Sequence, residues 1–250
     1  MNTLAFPHLA MLSQEQCETI HRASLEILRR SGVRVFHDGA LELLRSTDAV
    51  ITDGNLVRFP PGLVEWAFRQ APSRITLCRR GSGQVGAPLE GHEVSFGPGS
   101  DCPNYLDPRS GQRRPFTAAD VIDCIHLVDA LPELSFCMSM GIPSDPASEA
   151  LLSANAYRQQ FALMVEHTTK PIVFVTADRA SCQRAIDMAA AAAGGLEALV
   201  EQQHILLYSE PSSPLKQSQT AVDKLLLMAD NKLPVVHSPG PQMGATAPIT

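Results

Sequence analysis

The sequence has no excess of positive charge: 26 acidic residues outnumber 20 lysines and arginines, for a formal net charge of −6. Nucleic-acid binders carry a basic stripe that neutralises phosphates, so this balance argues against that class of partner. The adjacent pairs Arg79–Arg80 and Arg113–Arg114 are too short to form such a stripe and read as solvated turns. Long apolar runs are also missing. No stretch approaches the ~20 uninterrupted apolar residues of a membrane span, and the opening MNTLAFPHLAMLSQEQ has no basic region leading into an apolar run, as a secretion signal needs. The six cysteines lie far apart with no CxxC pair. In a long chain without a leader they read as small core residues of a reduced, cytoplasmic protein rather than as a disulfide framework.

Chemical motifs are equally sparse. Eight histidines are scattered, with no HxH and no HExxH, so no two metal ligands fall on one helical face. His126 reads as a packed, hydrogen-bonded histidine on the apolar side of its helix. Groups from different strand ends could still gather a metal, which keeps an unrelated metal-dependent barrel open as an alternative. No GxSxG elbow and no cysteine in a nucleophile context appear, so no catalytic residue is assigned. Gly81-Ser-Gly83-Gln-Val-Gly86 matches the dinucleotide pattern GxGxxG. The next residues, Ala-Pro-Leu-Glu-Gly, form no helix that could present its N-terminus to a pyrophosphate. The segment reads as a glycine-rich connection.

What is present is secondary-structure rhythm. With 44% hydrophobic residues the chain can build a sizeable core. Ser13 with Gln16 forms a capping-box pattern opening a helix that Gly32 stops. A short strand at 33–36 comes next, then a helix capped by His37–Asp38. A hairpin is expected at 49–52 and 56–59 across Asp53-Gly54-Asn55, then a helix opened by Pro60–Pro61, and a strand at 74–78. Residues 1–93 are thus expected to form an N-terminal cap of small helices and short strands.

From 94 onward strands and single helices alternate. Strands are expected at 94–96, 134–140, 170–176, 204–209 and 234–237. Helices are expected from Thr117 (with Asp120 closing the capping box) to 131, Ser148 to about His167, 181–193 and 218–231. Near-continuous apolar strands separated by helices imply a parallel sheet covered on both faces. The repeat of roughly 35 residues suits either an open doubly wound sheet or a (β/α)8 barrel. The long Gly/Pro-rich loops all come after strands while turns after helices are short, which favours the barrel. The fold class expected is therefore α/β, a TIM-type (β/α)8 barrel over 94–250 that stops after about five strands. Its exposed strand edges would favour self-association.

Barrel enzymes place functional groups just past the strand ends. Glu210 in YSEPSSP occupies such a place, with loop bracing as the alternative role. Asp101 in GPGSD lies after the first strand, with Tyr105 in the same loop. The uncharged SPGPQMG after the fifth strand could approach a ligand through its backbone.

The segments LSQEQCETIHRASLEILRRSGVRV, VRFPPGLVEWAFRQAPSRITL, VSFGPGSDCPNYLDPRSGQRRPFTAADVID, HILLYSEPSSPLKQS, AVDKLLLMADNKLPVV and PGPQMGATAPIT together resemble the N-terminal portion of the trimethylamine methyltransferase (MttB-like) family. The resemblance runs through essentially the whole chain. It implies a (β/α)8 barrel behind an N-terminal cap. It also implies transfer of a methyl group from a methylated amine, such as trimethylamine or glycine betaine, to the cobalamin of a separate corrinoid protein. No cofactor would then be bound by this chain itself. An ammonium ligand wants aromatic faces and a carboxylate, and Asp101, Tyr105, Tyr208 and Glu210 are the residues of those types near strand ends. They are chosen by position, and the inward direction of Tyr208 depends on a strand register that the sequence leaves open. The alternative is a truncated barrel fragment without turnover that keeps at most ligand or partner binding.

Overall fold

A computed structural model describes residues 10–99, 101–144 and 154–249. The packing divides the chain into two compact units, Met1–Ala71 and Pro72–Thr250.

In the first unit, α1 (Gln14–Arg30) opens with the expected capping box: Ser13 accepts from the Gln16 backbone while the Gln16 side chain accepts from Ser13. After α1 the chain turns at Gly32, whose φ is +74°, and a Cβ there would stand 2.5 Å from the Val57 carbonyl oxygen. Only glycine fits that turn. Next come β1 (Val33–Val35), α2 (Asp38–Arg45) with His37 as its N-cap, β2 (Val50–Thr52), β3 (Leu56–Arg58) and α3 (Pro61–Gln70). β3 pairs antiparallel with both β1 and β2. The β2–β3 turn holds Asp53 and Gly54 at positive φ, as a tight two-strand turn demands. Val57 is fully buried, and Leu25, Val35 and Leu41 are buried too.

The second unit is mixed α/β. It begins with an antiparallel hairpin, β4 (Arg74–Cys78) and β5 (Val85–Glu90), joined across Gly81 and Gly83 at positive φ. The GxGxxG segment therefore turns a hairpin and leads into a strand. A second hairpin, β6 (Asn104–Leu106) with β7 (Arg113–Pro115), precedes α4 (Ala118–Ala130). Then come α5 (Ala154–His167), β8 (Ile172–Phe174), α6 (Arg179–Ala193), α7 (Leu196–Glu201), β9 (Ile205–Ser209), β10 (Lys216–Gln217), α8 (Gln219–Asp230) and β11 (Val235–His237). The expected start of the helix at Ser148 lies outside the described residues. α6 ends on Gly194, left-handed at φ +90°, and α7 is a short second helix that the alternation of single helices did not anticipate.

β8, β9 and β11 form a parallel sheet in the order β11-β9-β8. Parallel bridges continue the succession outward, Cys137 beside Ile172 and Cys102 beside Gly141. Five chain segments thus lie side by side in chain order. Of the expected strands, 134–140 is reduced to the Cys137 bridge and 94–96 forms no strand, the bridge of the first segment lying at Cys102. Val94 and Phe96 are exposed, and this stretch makes one ladder bond, from Ser135 N–H to the Phe96 carbonyl. In 134–140 the left-handed Met140, φ +61°, interrupts the extended backbone.

The sheet buries two faces. Ile172, Phe174, Ile205, Leu207 and Val235 pack beneath the helices, with Val121, Ile125, Phe161, Met164, Ile186 and Met228. Val173, Leu206 and Val236 face the other way, onto Leu77 and Ala87 of the β4–β5 hairpin. Backbone bonds from Cys78 N–H to the Gln203 carbonyl and from Arg80 N–H to the Thr169 carbonyl place the hairpin at the strands' amino ends. It floors that face and leaves the carboxyl ends open.

Buried charge locks the helices. Lys170, 1% exposed, donates from Nζ to the Val128 and Leu131 carbonyls at 2.6 and 2.7 Å, capping α4 where carbonyls lack partners and the helix dipole favours a cation. Arg114 grips Asp120 with two bonds of 2.6 and 2.8 Å, and Asp120 also accepts from Thr117. Together these hold the Asp120 carboxyl far below its usual range. His126 differs from expectation: it is exposed and meets His167, ring nitrogen to ring nitrogen, at 3.1 Å. Of the cysteines, Cys124, Cys137 and Cys182 are buried while Cys17 and Cys102 are exposed, and all six are free. Burial pushes the Cys137 thiol up to about 12.

Candidate functional site

Alternation along β9 decides where its side chains go. Leu206 joins the layer over the hairpin and Ile205 and Leu207 join the helix layer, so Tyr208, two residues past Leu206, shares the hairpin-side face. It stands at the open carboxyl end. Its hydroxyl donates to Glu210 Oε1 at 2.6 Å, the length of a charge-assisted bond. That bond, with partial burial and the nearby charge, raises the Tyr208 pKa and keeps the phenol protonated. Glu210 itself is exposed. Gly240, in the loop after β11, passes so close that a Cβ there would lie 3.4 Å from Glu210 Oε1.

Tyr208 and Glu210 line an open cavity of about 660 Å³, together with Asp101, Ser209, Lys224, Gly99 and the apolar Met138 and Val175. That volume suits a small organic ligand. At their carboxyl ends β8 contributes Val175 and β9 contributes Tyr208, Ser209 and Glu210, and the two bridged segments contribute Gly99, Asp101 and Met138. Asp101 sits in a left-handed conformation, φ +65°, which is uncommon outside glycine. Its Oδ1 is buried with no hydrogen-bond partner among the described residues. Burial raises the Asp101 carboxyl above the ordinary range, the Gln160 amide and Lys224 pull it down, and Glu210 pushes it further up. Gln160 is anchored by its amide to Ser139 Oγ and to the Gly141 carbonyl.

Of the four residues singled out in the sequence, the structure brings Asp101, Tyr208 and Glu210 to one cavity. Tyr105 is not among its lining residues. Its ring packs edge-to-face with Phe116 at 5.1 Å, and the Arg114 guanidinium lies 4.8 Å over its face, so the ring is engaged away from the cavity. The reason is the β6–β7 hairpin, which turns the loop after Asp101 back onto α4. Sequence reasoning missed Lys224, and a signal was there. On α8, Ala221, Lys224 and Met228 keep helical spacing along the buried stripe, and a lysine in such a stripe is a charge held inside. Among the described residues no three His, Cys, Asp or Glu side chains gather to hold a metal. No described helix is long and apolar enough to cross a membrane.

The model of the trimethylamine methyltransferase (MTTB) family matches residues 2–250. The chain belongs to that family. It is 27% identical over 243 residues to trimethylamine methyltransferase MttB of Desulfitobacterium hafniense (strain DSM 10664 / DCB-2), covering 97% of this chain and 48% of that protein. It is 22% identical over 244 residues to the glycine betaine methyltransferase of Desulfitobacterium hafniense (strain Y51), covering 98% of this chain and 50% of that protein. The chain thus spans about half the length of the curated relatives it matches. The match begins in the first unit and continues through the second, so this family member carries in one stretch both the short-stranded unit and the parallel segments that bear the cavity.

Proposed function

We propose that this chain is the N-terminal part of a methyltransferase that takes a methyl group from a methylated tertiary or quaternary amine and passes it to a corrinoid protein. The observation that carries the reading is the Tyr208–Glu210 pair and Asp101 around one open cavity. A methylated ammonium offers few or no N–H donors. It is recognised by aromatic faces and negative charge rather than by hydrogen bonds. The Tyr208 hydroxyl is committed to Glu210, which fixes the ring and leaves its face for methyl groups. Met138 and Val175 supply apolar wall, and the carboxylates of Glu210 and Asp101 supply the countercharge.

The same reading extends the fold. The five parallel segments with helices on one face are the first strands of a (β/α)8 barrel, and the β4–β5 hairpin is the plug at its amino end. The active mouth then lies at the carboxyl ends, as in barrels generally.

A quaternary ammonium, or a tertiary amine bound in its protonated form, loses a methyl group and leaves as a neutral amine, so the leaving group requires no further proton. The chain's residues have three tasks: to orient the ligand, to exclude water from the ammonium and to present one methyl group outward. The Co(I) corrinoid, carried by the separate protein, supplies the nucleophile. The open mouth suits delivery to an outside carrier, because the ligand stays accessible from beyond the strand ends.

Ligand binding without turnover is the second reading, and the cavity geometry alone is common to both. One experiment separates charge recognition from mere shape: titration with choline and with its neutral carbon isostere dimethylbutanol. Choline should bind about tenfold more tightly. Equal affinity would remove the ammonium reading. Methyl transfer to the corrinoid protein, with choline binding in hand, then separates turnover from binding alone.

A further inference from the structure

The histidines are scattered in sequence, yet the fold brings two of them together outside the cavity. His126 comes from α4, and His167, 41 residues on, is the last residue of α5. His126 Nε2 stands 3.1 Å from His167 Nδ1, with ring centroids 5.0 Å apart and planes at 78°. In this arrangement one ring nitrogen donates a hydrogen bond to the other. The same separation suits two neighbouring ligands of one ion. With metal–nitrogen bonds of about 2.0–2.1 Å, the nitrogens lie about 2.9 Å apart at a right angle and about 3.3 Å apart in a tetrahedron.

The backbone holds the pair together. Thr168, next to His167, donates its hydroxyl to Asp129 Oδ1 at 2.5 Å, and Lys170 Nζ binds the Val128 and Leu131 carbonyls. These bonds tie the end of α4 to the turn after α5, so a bound ion has little left to order. Positive charge is favoured there. His167 closes α5, where carbonyls lack helical partners and the helix dipole is negative, and Asp129 lies one turn past His126 on α4. His126 is exposed and His167 partly so. Water can therefore accept the proton on the outer nitrogen of each ring, which frees both facing nitrogens to present lone pairs. No group of three His, Cys, Asp or Glu forms among the described residues, so water fills the ion's other positions. Imidazole ligands suit Zn²⁺, Ni²⁺ and Cu²⁺, with Cu²⁺ bound most tightly.

We propose that His126 and His167 chelate one divalent transition-metal ion, which staples α4 to α5 on the outer face of the second unit. The site lies at the opposite end of the strands from the cavity, because α5 leads through 168–171 into the amino end of β8. It is independent of the amine reading.

The test uses the full-length protein with Cu²⁺ alone, and with Zn²⁺ as a second probe. Calorimetry at neutral pH should find one equivalent of Cu²⁺ whose Kd rises at least about tenfold in His126→Gln and in His167→Gln, since each variant loses the chelate. Electron paramagnetic resonance of the one-to-one complex should count two imidazole nitrogens in the parent and one in either variant. Zn²⁺ should raise the Tm of the parent with increasing concentration and leave both variants unmoved. Equal binding of the first Cu²⁺ by parent and variants, or a single imidazole in the parent spectrum, overturns the site and leaves the pair as a hydrogen bond between helices. Should a variant fail to fold, the unaltered protein still decides: substoichiometric Cu²⁺ should broaden the ring signals of His126 and His167 before those of the other histidines, and broadening elsewhere first overturns the site.

Discussion

Replacing Glu210 by Gln isolates charge from shape. Glutamine keeps an Oε1 to accept the Tyr208 hydroxyl, which now donates at 2.6 Å, so the Tyr208 ring should stay where it is. What is lost is the negative charge that would face the proposed ammonium ligand. Two unit charges about 4 Å apart attract by ~1 kcal/mol in water and ~4 kcal/mol at an effective dielectric of 20. Glu210 is exposed, so the lower part of that range applies. A loss of about 1–2 kcal/mol corresponds to a weakening of roughly 5- to 30-fold. In the full-length protein with the proposed corrinoid partner, KM for the methylated amine should rise by that factor. Stability should move by less than about 0.5 kcal/mol, as for an ordinary surface substitution. The assay is steady-state methyl transfer beside thermal melting. A fall in Tm with unchanged KM would rule out the charge-partner role and make Glu210 a brace for the loop that begins at Pro211.

The carboxyl of Asp101 is raised by burial, so ammonium affinity should grow as pH rises through that raised pKa, and Asp101→Asn should flatten the dependence seen by calorimetry. Stability runs the opposite way: with the folded pKa above the unfolded one, the contribution is full below the unfolded value and is lost as pH rises through the folded value. Asp101→Asn should therefore melt higher than the parent at neutral pH. Lys170→Met strands the Val128 and Leu131 carbonyls and should cost about 2–3 kcal/mol in denaturant unfolding. Asp120→Asn breaks the grip of Arg114 and weakens the α4 cap, for about 1–2 kcal/mol after allowing for the partly exposed arginine. Because the Asp120 pKa is depressed, its contribution is present above the unfolded carboxylate value and lost as pH falls through the folded one, so the variant's deficit should shrink in acid. A melting series carried from pH 5 down to pH 2 checks this.

Much of the architecture was legible because local chemistry determines it. The Ser13 and Thr117 boxes, the Asp53–Gly54 turn, Pro61 in a first turn and Gly194 at a helix end are signals that act within a few residues. The β-α alternation arises from apolar runs with the right spacing. Strand identity near the start of the second unit was not legible, because pairing is a non-local property. Val94–Phe96 has strand-forming residues but little partner backbone, whereas Val85–Glu90, broken by glycine and proline in sequence, finds β4 beside it.

The candidate site was partly legible for the same reason. Position after an apolar run pointed to Glu210 and Asp101, but the direction of Tyr208 needed the register that places Leu206 over the hairpin. Tyr105 was misleading because a local hairpin carries it to Phe116. Lys224 was hidden by its helix: its role depends on which strands α8 covers, and only the assembled sheet shows that.

Amine-dependent methylation of the corrinoid tests the proposed methyl transfer most directly. The full-length protein is mixed with the corrinoid protein reduced to Co(I) and with a methylated amine carrying an isotopic label in its methyl groups. Methyl–cobalt formation is followed by absorbance and the demethylated amine by mass spectrometry. Labelled methyl–cobalt and demethylated amine are expected in equal amounts, at a rate that falls when Glu210→Gln replaces the parent at subsaturating amine. An amine that binds in the cavity but yields no methyl–cobalt and no demethylated product would contradict the proposed methyl transfer.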